Sequence, residues 1–146
     1  MQTTIRQLMS DRPREVESVA PSETVATAIA RMKQKNIGSL IVKEGDSVVG
    51  ILTERDLLVR VLAAGRPRSL PVAEVMTAEP LCITPETTVG QAMSLVTEAR
   101  IRHLPVVEEN RLTGMVSSRD LADWLVAHFQ EQTDQLAMAA RLRQGL

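Results

Sequence analysis

Two short stretches carry the residue types that could do chemistry. Thr53-Glu54-Arg55-Asp56 follows Gly50, Ile51 and Leu52, and Ser117-Ser118-Arg119-Asp120 follows Gly114, Met115 and Val116 in the same register, 64 positions on. A hydroxyl placed three residues ahead of a carboxylate serves two different ends. It can form a capping box, the hydroxyl accepting from one orphan backbone N–H of a new helix and the carboxylate from another, a device worth about 1 kcal/mol. The same pair can instead take hydrogen bonds from the vicinal hydroxyls of a ribose, as an acidic residue does in dinucleotide-binding folds. A helix N-terminus also favours a phosphate nearby. Arg55 and Arg119 could add charge-assisted contacts there, or stand in solvent or in ion pairs.

Other chemistries have little to work with. The two histidines, His103 and His128, are far apart in sequence, and Cys82 is the single cysteine. These residues support neither a metal site nor Cys–His catalysis, and no disulfide can form within the chain. Seventeen Lys and Arg face 18 Asp and Glu, a net charge of -1, which gives no field for generic nucleic-acid binding. Trp124 and Phe129 are the only aromatic residues, too few for single-strand stacking platforms. No apolar run is long enough to span a bilayer, and the first residues lack the apolar core of a signal peptide. A cytoplasmic protein is the expectation.

The elements that must position the two motifs repeat with them. Ile5, Leu8 and Met9 form an amphipathic lead-in echoed by Val72, Val75 and Met76. The offset there is 67, so the first repeat holds three extra residues in the polar stretch 11–17, an insertion suited to a surface loop. Strands are expected at 16–19 and 81–83, ending before Pro21 and Pro85. Helices follow with apolar faces at Val25, Ala28, Ile29 and Met32, and at Val89, Ala92, Met93 and Val96. Ser22 or Thr24, and Thr87 or Thr88, would cap them; Asn36 and Arg100 end them. Residues 37–42 and 101–107 read as the next strands. Another strand runs into each motif, and second helices follow over 54–63 and from 118 to about 128. Residues 19–57 and 83–121 align without a gap, and a fixed period of this kind is hard to obtain by chance. The expected architecture is α/β: two β-α-β-β-α repeats at 1–64 and 72–128, a linker at 65–71 with Gly65 closing a helix, and a helical tail at 129–146. Thr133 is a candidate break in that tail, and Trp124, Phe129 and Leu136 give it an apolar face suited to a subunit contact.

Taken together, three signatures resemble a tandem pair of CBS domains, the Bateman module. They are Pro-x-x-Thr-Val-x-x-Ala (Pro21, Thr24, Val25, Ala28; Pro85, Thr88, Val89, Ala92), Ile-Arg-His-Leu-Pro-Val-Val at 101–107, and Gly-h-h-Ser/Thr-x-x-Asp twice. The resemblance covers roughly residues 5–128. It implies two repeats packed pseudo-symmetrically around two clefts, many of which in such pairs bind adenosine nucleotides. One cleft would hold ribose on Ser117 and Asp120, with Val19, Ala20, Ile37 and Gly38 around adenine. The other would use Thr53 and Asp56 with Ile83, Thr84, Ile101 and Arg102. Family members often carry a basic residue on the middle strand near the phosphates. Arg102 and His103 match that place in the second repeat, whereas Gly38 and Ser39 stand there in the first, so Asp120 is expected to hold ribose more effectively than Asp56. The resulting expectation is a regulatory module and not an enzyme, sensing an adenosine-containing ligand such as ATP, ADP or AMP by a population shift. It requires no resident cofactor or metal and assembles as a homodimer. The rivals are a ligand-free interaction scaffold, in which both aspartates only cap helices, and a nucleotide hydrolase, which lacks an evident nucleophile, base or metal set.

Overall fold

A computed structural model describes residues 2–13 and 15–143. The elements run α1 (Ile5–Asp11), β1 (Ser18–Val19), α2 (Val25–Lys35), β2 (Ser39–Glu44), β3 (Ser47–Thr53), α3 (Glu54–Asp56), β4 (Thr77–Ala78), α4 (Val89–Ala99), β5 (His103–Glu108), β6 (Arg111–Ser117) and α5 (Ser118–Arg143). The helix-strand-strand-helix part of the α/β repeat is therefore present twice, with β1 opening the first copy.

The two long helices start and stop for the reasons their sequences give. Thr24 and Thr88 are the N-caps, each accepting from the N–H three residues on, and Gln91 completes a capping box at Thr88. Asn36 and Arg100 close the helices in the left-handed conformation, with φ of 52° and 54°. The strands pair as antiparallel hairpins, β2 with β3 and β5 with β6, and each pair carries a register irregularity at the same place, Val42/Lys43 and Val106/Val107.

The lead-in segments exchange places. Ile5 and Leu8 of α1 are buried with Val89, Ala92, Leu104, Val106, Val116 and Leu121, the core of the second repeat. Val72 and Val75 are buried with Val25, Ala28, Leu40, Val42 and Leu52, the core of the first. Backbone bonds seal each exchange. Thr3 O accepts from Val89 N–H (2.9 Å) at the start of α4, and Leu70 O accepts from Val25 N–H (2.9 Å) at the start of α2. Each crossing segment thus satisfies orphan donors at the start of a helix it does not precede. β4 extends the exchange by pairing with β3, giving a sheet of order β1-β2-β3-β4. Two glycines make room for the crossing. A Cβ on Gly50 would overlap the Met76 sulfur, and one on Gly114 would overlap the Met9 sulfur.

Four local expectations need correcting. The strand at 16–19 is reduced to Ser18–Val19, paired parallel to β2. Its echo at 81–83 is a single parallel bridge from Ile83 to Val106, since prolines at 80 and 85 remove backbone donors on both sides. The helix at 54–63 keeps α geometry only through Asp56 and continues as a π-helix over Leu57–Leu62, with Ala63 N–H donating five residues back to Leu58 O (2.9 Å). Thr133 does not break the tail. Its hydroxyl donates to Phe129 O (2.8 Å), and α5 runs 26 residues without interruption, so the second repeat's last helix and the tail are one element.

Candidate functional site

The strand register brings the two ends of each motif together. In the second repeat His103, the first residue of β5, pairs with Ser117, the last of β6. In the first, Ser39 pairs with Thr53. Helix α5 starts at once after Ser117, so Asp120 turns back over the strand end. Ser117 N–H and Oγ–H both donate to Asp120 Oδ2 (2.8 and 2.9 Å), and Asp120 N–H donates to Ser117 Oγ (3.1 Å). At the first motif Thr53 N–H and Oγ–H donate to Asp56 Oδ2 (2.9 and 3.1 Å), with Asp56 N–H returning to Thr53 Oγ (3.3 Å). Both motifs are therefore capping boxes, with both aspartates buried.

The corners differ in what else reaches the carboxylate. Asp56 Oδ1 accepts from the Thr77 hydroxyl (3.2 Å) on β4, and Arg60 lies 3.8 Å away. The counterpart of Thr77 in the first lead-in is Ser10, whose hydroxyl donates to Arg6 O (2.9 Å) instead. On the Ser117/Asp120 side a cleft of about 530 Å³ opens between the repeats. That volume lies in the range of ligand pockets. Its floor is Ile37, Gly38, Ser39 and Met115, with a 3.9 Å contact from Ser39 Oγ to the Met115 sulfur. One wall is Ser117, Asp120 and His103, and the other is α1 with the chain after it.

Of the residues singled out from sequence, this cleft gathers Ser117, Asp120, His103, Ile37 and Gly38. Val19 is instead 2% exposed in the first repeat's core, and Ala20 gives its N–H to Glu23 (2.8 Å); Val16 and Glu17 line the cleft in their place. Arg102, Arg119 and Arg55 are exposed and lie off the cleft lining. Ile83 is buried in the second core, Thr84 N–H donates to the Thr87 hydroxyl (3.2 Å), and Ile101 packs half-buried against that core. The residues missed from sequence are Arg6, Met9, Arg12 and Glu15, which enter because α1 crosses over and residues 12, 13 and 15–17 line the cleft. The three-residue insertion was their only signal.

Charge along the walls is balanced by pairing. Arg6 meets Glu86 (2.6 Å) and Glu108 (2.7 Å), and Arg12 meets Asp123 on α5 (3.3 Å). Burial holds the His103 imidazole below its ordinary pKa and the Arg102 charge lowers it further, while Glu54 opposes both. The ring is therefore neutral at neutral pH. No group of three or more His, Cys, Asp and Glu that could hold a metal ion occurs among the described residues, and no helix among them is long and apolar enough to cross a membrane.

Comparison with known proteins decides what this pair of repeats is. The family model for the CBS domain matches the chain twice, at residues 5–63 and 72–127. The chain belongs to the CBS-domain family. It is a tandem CBS pair, as the repeated signatures implied. The CBS domain-containing protein YhcV of Bacillus subtilis is 39% identical over 108 residues, covering 74% of this chain and 77% of YhcV. The crystal structure of another CBS domain superposes with a TM-score of 0.80 at 31% identity, covering 85% of this chain and 98% of that one. CBSX2 in complex with AMP superposes with a TM-score of 0.73 at 25% identity, over 86% of this chain and 97% of that one. Both CBS matches begin at the lead-in segments, Ile5 and Val72, which here cross to the opposite core.

Proposed function

We propose that this CBS pair is a regulatory module that binds an adenosine-containing ligand in the Ser117/Asp120 cleft. One observation carries the reading: the cleft brings the hydroxyl–carboxylate pair of one repeat to face Ile37 and Gly38 of the other. Asp120 and Ser117 would accept and share hydrogen bonds with the ribose hydroxyls. Ile37, Met115 and Gly38 offer an aliphatic slot for the base. The AMP complex of CBSX2, a protein of the same fold, supports the ligand class. Thr53 and Asp56 form the weaker candidate, because that corner lies off the cleft that gathers Ser117, Asp120, Ile37 and Gly38.

The cleft walls come from both repeats, from α1 and, through Asp120, from the start of α5. A ligand there would bias how the repeats pack and how α5 is held, which is the differential interaction that a population shift needs. The Arg12–Asp123 pair links the wrapping segment to α5 directly. Calorimetry with ATP, ADP, AMP, NAD and S-adenosylmethionine, with GTP and GMP as controls, tests the reading. Saturable binding of an adenosine ligand and none of its guanosine counterpart is expected. Equal binding of both bases would contradict it.

A scaffold reading has one observation in its favour. Every described residue from 129 to 143 is exposed, and Val126, Phe129 and Leu136 are 59%, 59% and 72% exposed. A second copy of the chain is the proposed occupant of this face, giving a homodimer that needs no ligand. Light scattering on a chain ending after Gln130 should show a lower mass than the full chain. An unchanged mass would take the tail out of the interface.

A further inference from the structure

The two repeats share one backbone contact and differ in what stands on it. Glu54 N–H donates to Gly38 O (3.0 Å), and at the matching place Ser118 N–H donates to Arg102 O (2.8 Å). In the second repeat residue 102 carries a long side chain of its own and residue 118 a short one. In the first, the absence of a side chain at Gly38 lets the Glu54 carboxylate lie over the backbone. A Cβ on Gly38 would stand 3.2 Å from the carboxyl carbon and 3.3 and 3.4 Å from its two oxygens. Gly38 and His103 both line the cleft, one from each repeat, and the Glu54 charge is felt at His103, where it favours the protonated ring. An exposed residue of the first motif thus brings its carboxylate to the rim of the cleft that belongs to the second. Among the described residues no hydrogen-bond donor holds that carboxylate, so its lone pairs are open to a ligand.

We propose that Glu54 is a specificity-determining residue of the cleft, its carboxylate accepting a hydrogen bond from the exocyclic amine of the adenine base. This rests on the reading of the cleft as an adenosine site and adds the group that reads the base. The slot of Ile37, Gly38 and Met115 is apolar in its side chains, and apolar contact discriminates poorly between ring systems of one shape. Gly38 O is already engaged by Glu54 N–H. The carboxylate differs from both in that it only accepts hydrogen bonds. The 6-amino group of adenine donates, whereas a 6-oxo group accepts and would meet the same oxygens with no proton between them. A base that leaves the carboxylate unpaired forfeits a hydrogen bond to a charged group and part of the water around it.

Calorimetry with AMP, IMP and purine riboside monophosphate, which is AMP without its amine, provides the test. AMP should bind at least about tenfold more tightly than either analogue. Glu54→Gln, at an exposed position, supplies an amide that both donates and accepts. It should weaken AMP and narrow the ratio of AMP to IMP by at least about threefold, with thermal unfolding as the control for fold. Analogues that bind as tightly as AMP, or a ratio that Glu54→Gln leaves unchanged, would overturn the role of Glu54 and leave the adenosine site standing. Binding by none of the three would overturn both.

Discussion

Replacing Asp120 with Asn changes one charge and almost no shape, which makes its consequences calculable. In the free protein Asp120 Oδ2 accepts from Ser117 N–H and Oγ–H at 2.8 and 2.9 Å, at the first turn of α5. An asparagine oxygen can keep both bonds, so the cap survives. The loss of a negative charge at a helix N-terminus by itself is worth about 0.3–1 kcal/mol. For a chain of this size that is a fall in Tm of roughly 1–4 °C. Binding should respond more strongly. A hydrogen bond to a charged acceptor contributes about 1.5–3 kcal/mol and a neutral one about 0.5–1.5. The difference of roughly 1–1.5 kcal/mol corresponds to about tenfold in Kd. Asp56→Asn has the opposite profile. That carboxylate serves Thr53, Thr77 and Arg60 at a corner off the cleft lining, so the variant should lose stability and change nucleotide binding by less than about threefold. Calorimetry with AMP on wild type and both variants, beside thermal unfolding, reads all four quantities. Equal binding by wild type and Asp120→Asn would make that carboxylate a helix cap only. A larger loss from Asp56→Asn would move the site to the other corner.

Three further outcomes follow from the packing and the charges. Ile5→Ala should cost about 2–5 kcal/mol in chemical denaturation, because Ile5 is fully buried in the second repeat's core; a cost under about 0.5 kcal/mol would mean that α1 is a loose arm and not part of that core. Gly114→Ala should destabilise by driving a methyl group into the Met9 sulfur, and Met9→Ala should relieve part of the effect in a double-mutant cycle, whereas strict additivity would deny the contact. The depressed pKa of His103 means that the unfolded chain binds the proton more readily. Its contribution to stability is therefore fully present above the ordinary histidine value of about 6.5 and falls as pH drops from there toward the folded-state pKa; His103→Gln should flatten that slope, and an unchanged slope would assign it to other groups.

Much of this architecture is written in local residues. Thr24, Thr53 and Thr88 are caps because a side-chain hydroxyl at a helix start accepts from an orphan backbone N–H, and Asn36 and Arg100 mark the stops. The pairing of His103 with Ser117 could be anticipated once β5 and β6 were read as a hairpin. The exchange of lead-ins could not. Ile5, Leu8, Val72 and Val75 show only that each segment has an apolar face, and nothing in their spacing says which core receives it. That choice depends on long-range bonds such as Val89 N–H to Thr3 O. The same crossing explains why the cleft recruits Arg6, Arg12 and Glu15, while Val19 sits in a core because β1 pairs with β2. The shortening of the strand at 81–83 was legible in Pro80 and Pro85, whereas the change to π geometry after Asp56 has no sequence signal that we can name. At Thr133 the residue type suggested a break, but a threonine hydroxyl can also bond back to the carbonyl four residues earlier, and in α5 it does.

The central claim is that an adenosine ligand occupies the cleft between Ser117/Asp120 and Ile37/Gly38. Backbone amide chemical shifts recorded during an AMP titration locate the ligand residue by residue. The expected result is saturable shifts concentrated at Ile37, Gly38, His103, Ser117 and Asp120, with Thr53 and Asp56 moving least among the motif residues. Saturable shifts centred on Thr53, Asp56 and Thr77 instead, or none at Ser117 and Asp120 under saturating AMP, would contradict it.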